Sequence, residues 1–101
     1  MPPETPLRFH PEAEEEMNVT ADWYDEHGDG GSDFLGALDE TIEDIASGPL
    51  RWPVVRGLSP STRRCLMKRY HYSVFYRVDD QGILIVSIAH QSREPLYWLG
   101  R

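Results

Sequence analysis

The hydrophobic pattern changes its period midway along the chain, and this change constrains the fold more than any other feature. In the first half, apolar side chains recur every three or four residues, as they do on one face of an amphipathic helix. After residue 64 the apolar runs are short and rich in β-branched and aromatic residues, which favours strands. We therefore expect an α+β fold, in which helices pack on one sheet.

The first half predicts two helices joined by a short turn, which is a helical hairpin. Helix one should span about residues 11 to 27, because Pro11 suits a first helical position and Gly28 follows the last periodic residue. Its inner stripe comprises Ala13, Met17, Ala21 and Tyr24.

The second helix should begin with Ser32 or Asp33 as its cap and end at Gly48, with that glycine in a left-handed conformation. The expected inner stripe comprises Phe34, Leu35, Leu38, Ile42 and Ile45. The two stripes give the hairpin one apolar side, which has to be covered by the sheet.

The second half predicts an antiparallel β-meander. Its strands are expected at Cys65–Tyr70, Tyr72–Val78 and Ile83–His90, and a short strand at Leu7–His10 should join them at an edge. Residues 49–64 should be irregular, with Trp52 fixing that loop to the core, and the apolar tail from residue 93 onward should dock. We expect residues 1–101 to form a single domain.

Composition and chain start favour a cytoplasmic protein. Cys65 is the one cysteine, so no intrachain disulfide can form, which suits a reducing compartment. The first residues lack the basic start and apolar run of a signal peptide, and no apolar stretch approaches the roughly 20 residues that span a membrane.

Charge is segregated along the sequence. Residues 1–50 carry fourteen acidic side chains and one arginine, whereas residues 51–101 carry nine basic and three acidic ones. The net charge of −7 disfavours non-specific binding of nucleic acid, because the long-range field repels phosphate. The basic second half can still form a local cationic face, while the acidic helices are equally compatible with a merely solvated surface.

Several segments, in this order, resemble the RelE/ParE toxin superfamily. The strand running through Pro11-Glu12-Ala13 resembles the opening of these toxins, and Arg69–Val78 resembles the central hairpin of ParE-type members. Further similar positions are Trp23-Tyr24, Phe34-Leu35, Leu38, Ile42, Pro49, Trp52-Pro53, Ile88-Ala89-His90, Arg93, Pro95 and Trp98. The resemblance extends over nearly the whole chain.

This resemblance implies a bacterial cytoplasmic toxin of a type II toxin–antitoxin module, of the plasmid-stabilisation type, whose working surface is masked by a cognate antitoxin. It also implies two possible activities. ParE-like members inhibit DNA gyrase, whereas RelE-like members are endoribonucleases that cut messenger RNA on the ribosome.

Cleavage of RNA through its 2′-hydroxyl needs a base, an acid and cations for the phosphate. The catalytic candidates are His90, Arg77, Arg93 and Tyr97. His90 is the best of them for proton transfer near neutral pH, although the interpretation favoured for it is a structural histidine that fastens the tail by a hydrogen bond. Structural roles also remain open for Arg93, as an ion-pair partner, and for Tyr97, as a docked aromatic.

One departure from the RNA-cutting relatives favours a binding protein over an enzyme. Ser73 stands where many of them have an arginine, and a hydroxyl cannot replace a guanidinium in stabilising phosphate charge. No metal-ligand spacing involves Cys65, His71 and His90, so we expect neither a metal nor a cofactor, and any ribonuclease activity would be metal-independent.

The sequence therefore predicts a ParE-like toxin that inhibits DNA gyrase. The alternatives are a ribosome-dependent endoribonuclease and a detoxified relative that keeps the fold without lethal activity. The residues expected to bind the target are Lys68, Arg69, Arg77, His90 and Arg93. Lys68 and Arg69 should point to opposite faces of one strand. The antitoxin is expected either to lay an amphipathic helix in a groove or to add a strand at a free sheet edge.

Overall fold

The structure, a computed structural model, describes residues 6–93 and 96–101. Its elements, in chain order, are β1 (Leu7–Phe9), α1 (Pro11–Glu26), α2 (Gly31–Ser47), β2 (Arg63–Leu66), β3 (Tyr72–Asp79) and β4 (Gly82–His90). The predicted α+β fold is confirmed. Residues 1–5 at the predicted chain start, together with Glu94 and Pro95 of the predicted tail, lie outside the described residues.

The four strands form one sheet in the order β1-β4-β3-β2. Strands β2, β3 and β4 make the predicted antiparallel meander, and β1 joins it by pairing parallel to β4. A bulge between Phe75 and Tyr76 shifts the register of β3 against β4. A bulge of this kind bends its strand and increases the local right-handed twist.

The helical hairpin covers one face of the sheet, as the two apolar stripes predict. Ala13 and Ala21 from α1 and Phe34, Leu38 and Ile45 from α2 are all buried. They pack with the sheet side chains Val74, Tyr76, Ile83, Ile85 and Ile88. Burying a Val, Leu, Ile or Phe side chain stabilises the fold by about 1.5–3 kcal/mol, before conformational entropy is counted.

Both ends of α2 differ from the prediction. The helix begins at Gly31 without a side-chain cap from Ser32 or Asp33. Instead, Asp25 of α1 accepts a hydrogen bond from the Gly31 amide at 2.9 Å. A Cβ on Gly31 would lie 2.6 Å from the Ala21 carbonyl oxygen, so the close approach of the helices requires glycine here. Gly48 ends the helix with an extended φ of −161°, so the left-handed cap is wrong.

Strand β2 is shifted toward the N-terminus relative to the predicted Cys65–Tyr70. Tyr70 and His71 have φ values of 74° and 51°, which strand residues do not adopt. The Met67 amide donates to the Tyr72 carbonyl at 2.9 Å and closes a turn there. Lys68 and Arg69 therefore lie in this turn, and the prediction that they alternate across a strand is wrong.

The predicted role of Trp52 in fixing the loop is confirmed, because its partly buried ring packs against the core. Tyr76 adds a second attachment, since its buried hydroxyl donates to the Pro49 carbonyl at 2.6 Å. Burial raises the pKa of Tyr76 to about 12 and that of Cys65 to about 11, from 10.0 and 9.0.

These shifts predict a loss of stability at alkaline pH. Both groups hold their protons more tightly in the folded chain, so their contribution is complete below pH 9 and disappears as the pH rises toward 12. Urea unfolding under reducing conditions should give a free energy about 3 kcal/mol lower at about pH 11 than at about pH 8. Cys65→Ala and Tyr76→Phe should each flatten this dependence. Tyr72→Phe, on the same strand as Tyr76 but partly exposed, should leave the pH dependence unchanged. If the unfolding free energy fell equally with pH in all variants, Cys65 and Tyr76 would not be the cause of the loss.

Candidate target-binding groove

A groove of about 420 Å³ lies on the sheet face that the helices leave open. Its floor is formed by Phe75, Ala89 and Trp98, and its far wall by Pro53 and Val55 of the long loop. Three side chains that can carry positive charge, Arg64, His90 and Arg93, also line it. An apolar floor with cationic groups at its margin suits a protein segment that carries both apolar and acidic side chains.

The tail forms one side of this groove and is held by Trp98. Only 1% of the Trp98 surface is exposed, and its ring packs on Phe75 with centroids 4.5 Å apart. Arg77 secures the same segment, because Nη1 donates to the Arg101 main-chain oxygen at 2.8 Å and Nε donates to Thr62 Oγ1 at 3.2 Å. Docking of the tail is therefore confirmed for its described residues, and Arg77 is occupied in holding it.

Glu16 of α1 connects the tail to the sheet through a part-buried polar cluster. Its Oε1 accepts hydrogen bonds from the Ile88 amide at 3.1 Å, from Ser87 Oγ at 3.1 Å and from Arg101 Nη1 at 2.8 Å. Its Oε2 accepts a hydrogen bond from the Tyr97 hydroxyl. The two charged side chains are only 12% and 16% exposed, so this ion pair is shielded from solvent.

The cluster shifts the pKa values of two side chains, Tyr97 and Arg101. Burial, together with the hydrogen bond to Glu16, raises the pKa of Tyr97, so this hydroxyl stays a donor and is poorly suited to be a base. Burial alone would lower the pKa of Arg101, but the hydrogen bonds and charge of Glu16, aided by Glu12, outweigh it and raise that pKa. The catalytic candidate Tyr97 therefore has a structural contact of its own.

His90 lies at the end of β4, where it faces the groove. Its Nδ1 contacts Ser92 Oγ at 2.6 Å and accepts a hydrogen bond from the Ser92 amide at 3.0 Å. The ring also meets Tyr72 edge-on, with centroids 4.9 Å apart. These contacts suit the structural role predicted for His90, because Nδ1 stabilises the turn that leads into the tail. Nε2 is the ring nitrogen left to contact a ligand.

Two arginines give the groove its positive margin. Arg93 is exposed, and its guanidinium lies 4.2 Å from the centroid of the Tyr97 ring. Arg64 reaches across from β2, where its Nε donates to Ser73 Oγ at 3.0 Å. Ser73 itself supplies no positive charge, but the neighbouring strand places the Arg64 guanidinium beside it.

Lys68 and Arg69 lie apart from this groove. Both line a small cavity of about 30 Å³ next to Glu40 and Asp44 of α2. Arg69 also lies over the Tyr70 ring, 5.3 Å from its centroid. Of the five predicted target-binding residues, His90 and Arg93 line the groove. Arg77 instead holds the main chain of the tail.

Sequence reasoning missed Arg64, Glu16 and Arg101. Glu16 belongs to the acidic run of the first turns, where a carboxylate is already explained by the helix dipole. Arg101 is 85 residues away from it in sequence, so no local pattern could pair them. Arg64 was not predicted as a site residue because the predicted strand, Cys65–Tyr70, began one residue after it.

Among the described residues, no cluster of three or more His, Cys, Asp or Glu side chains could hold a metal ion. None of the helices in residues 6–93 and 96–101 is both long enough and apolar enough to cross a membrane.

The strand, helical hairpin, meander and docked tail together define a RelE/ParE-like toxin fold. A solved structure described as the chromosomal ParDE TA system from P. aeruginosa has the same fold, with a TM-score of 0.68. The match has 19% identity and covers 86% of this chain and 96% of that chain, so it supports the fold alone.

The sequence itself is assigned more narrowly. The sequence model for the ParE toxin of the type II toxin–antitoxin system parDE matches residues 7–95. The chain therefore belongs to the ParE toxin family. No curated protein sequence matches it significantly.

Proposed function

We propose that this chain is a bacterial toxin that inhibits DNA gyrase in the cytoplasm and is neutralised by a cognate antitoxin. The observation that carries the proposal is the family match over residues 7–95. The groove adds a physical reason to favour a protein target. Its apolar floor requires a partner with apolar side chains, whereas the net charge of −7 opposes docking on a polyanion.

A supercoiling assay with purified components tests this function. Titrating the protein into gyrase, ATP and relaxed plasmid should reduce supercoiling in proportion to the toxin added. A parallel reaction with ribosomes translating a defined message should leave that message intact. Unchanged supercoiling at saturating protein would refute the gyrase target.

Ribosome-dependent RNA cleavage is the second candidate, and Arg64 is the observation that favours it. With Arg93 and His90, Arg64 places two guanidinium groups and an imidazole around one groove. That set could stabilise phosphate charge and exchange a proton. Cut messages in the ribosome reaction, abolished by His90→Ala, would establish this activity instead.

Reversing the charge at the groove margin should weaken target inhibition. The double variant Arg64→Glu/Arg93→Glu is expected to need at least about tenfold more protein for half-maximal inhibition of supercoiling, because each reversal replaces an attraction by a repulsion. Lys68→Glu/Arg69→Glu makes the same change in net charge away from the groove and should cost less than about twofold. If only the second pair weakened inhibition, the target surface would lie at the β2–β3 turn instead.

A further inference from the structure

The outer side of helix α1 carries an exposed apolar pair among acidic side chains. Val19 and Trp23 are 56% and 51% exposed, and their spacing of four residues places them on one face of the helix. Glu15, Asp22 and Glu26 are exposed on the same face, and none of them forms an ion pair within the described part of the chain. We call these five residues the α1 face. A surface that covers the α1 face has to offer both an apolar recess and positive charge.

Trp23 is suited to anchor such a contact. Its ring stacks on His27 with centroids 4.0 Å apart, so the orientation of the ring is already set. A large aromatic side chain that is held in place loses little conformational freedom when another surface covers it. Tryptophan is also among the residues that carry most of the binding energy of protein interfaces.

The candidate target-binding groove has the complementary properties. Phe75 and Trp98 belong to its apolar floor, and Arg64, His90 and Arg93 also line it. Its volume of about 420 Å³ lies within the range of about 300–1,000 Å³ that holds a compact ligand, so one indole ring can enter. Neither arginine forms an ion pair within residues 6–93 and 96–101. The chain therefore carries both an acidic apolar surface and a basic apolar recess.

These two surfaces adjoin each other. A cleft of about 240 Å³ between α1 and β4 is lined by Val19 of the α1 face and by His90, Arg93 and Tyr97, which also line the groove. Where two complementary surfaces lie side by side, a two-fold axis at their boundary sets each surface of one copy against the opposite surface of the other. Both contacts can then form at once, and the assembly closes as a dimer.

The edges of the sheet offer a second copy less. Strand β1 has three residues, which is at the short end of the usual range. Along β2, the Arg64 amide already donates to the Pro53 carbonyl at 3.1 Å. On the open side of β4, the Ile88 amide donates to Glu16 at 3.1 Å. Strand pairing at these positions would break existing hydrogen bonds, whereas the α1 face and the groove are uncovered.

We propose that two copies of this chain form a closed dimer, in which the α1 face of each copy docks in the groove of the other. Trp23 enters the apolar recess, and Asp22 and Glu26 pair with the arginines at its margin. Both grooves are then covered, so the dimer is a self-masked form that cannot bind a target through them. The inference does not depend on which target the groove serves.

Sedimentation velocity of the purified full chain tests this dimer. The dimer should be present at about 100 µM, because interfaces of standard size bind with dissociation constants in the micromolar range or lower. Trp23→Ala and Asp22→Lys/Glu26→Lys should each weaken self-association at least about tenfold. Asp39→Lys/Glu43→Lys, at exposed positions of α2, changes the net charge as much as the second variant and should leave self-association within about twofold.

A mixing experiment tests whether the two surfaces contact each other. Arg64→Glu/Arg93→Glu should weaken self-association at least about tenfold, as Asp22→Lys/Glu26→Lys does, because each variant sets like charges against each other. In a mixed pair, the new lysines meet the new glutamates, and the other contact keeps both of its native surfaces. The mixture should therefore dimerise within about fivefold of the unmodified chain, although neither variant does so alone.

The outcomes decide the proposal in either direction. Circular dichroism of each variant alone establishes that it is folded. Recovery of the dimer in the mixture supports the pairing of the α1 face with the groove. An unmodified chain that stays monomeric at about 100 µM, a mixture of folded variants that stays monomeric, or assemblies larger than a dimer would each overturn the proposal. None of these results changes with the outcome of the supercoiling assay.

Discussion

Replacing Glu16 by alanine is expected to lower the free energy of unfolding by about 3 kcal/mol or more, and to abolish inhibition of the target. The change leaves the Arg101 guanidinium, the Tyr97 hydroxyl and the Ile88 amide without their shared acceptor in a part-buried site. The tail then loses its attachment to α1, and the groove loses the side that the tail provides. Urea unfolding and the supercoiling assay measure the two effects.

Two further substitutions test whether the loss of stability comes from the contacts of the Glu16 carboxylate. Glu14→Ala removes an exposed carboxylate from the same turn and should cost less than about 0.5–1 kcal/mol. Glu16→Gln keeps one acceptor oxygen but turns an amide group toward other donors, so it should fall between the wild type and Glu16→Ala. Equal stability of Glu14→Ala and Glu16→Ala would show that the cluster does not hold the tail.

Trp98→Ala is the second substitution with a large expected effect. It removes a ring that is 1% exposed and packs at a tilt against Phe75, and comparable deletions of buried aromatic side chains cost about 3–5 kcal/mol. Because the ring is also part of the groove floor, target inhibition should be lost at temperatures where the helices and sheet remain folded. Urea unfolding, limited proteolysis of the tail and the supercoiling assay report on this together.

Leu99→Ala is the matched control for Trp98→Ala. Leu99 is the next residue and is 54% exposed, so its truncation should change the unfolding free energy by less than about 0.5 kcal/mol. If Trp98→Ala left the urea midpoint unchanged while the tail became sensitive to protease, the tail would be a separately unfolding unit, and it would not stabilise the rest of the chain.

The fold was predictable because its main determinants are local periodicities. The stripe of α2 has the spacing of one helix face, and Phe34, Leu38 and Ile45 from it are indeed buried. The shift of β2 was not predictable in this way, since Tyr70 and His71 are aromatic residues that favour strands yet adopt left-handed φ values in the turn. Tertiary contacts override propensity at that point.

The candidate site was less accessible to sequence reasoning because contacts between distant residues build it. His90 and Arg93 were found by their residue types, and both face the groove. Glu16 resembled the other glutamates of its helix until the tail placed Arg101 and Tyr97 against it. Arg77 was expected to meet a ligand, but its guanidinium holds the main chain of the tail.

Inducible expression of the chain in bacteria, with plasmid topology scored alongside growth and transcript integrity, tests the central claim most directly. A gyrase inhibitor should arrest growth and relax a reporter plasmid while transcripts stay intact, and Arg64→Glu/Arg93→Glu should restore both growth and supercoiling. Normal growth of cells that accumulate the folded chain would contradict the claim and indicate a detoxified relative. Arrested growth with cleaved transcripts and unchanged plasmid topology would contradict it in favour of a ribonuclease.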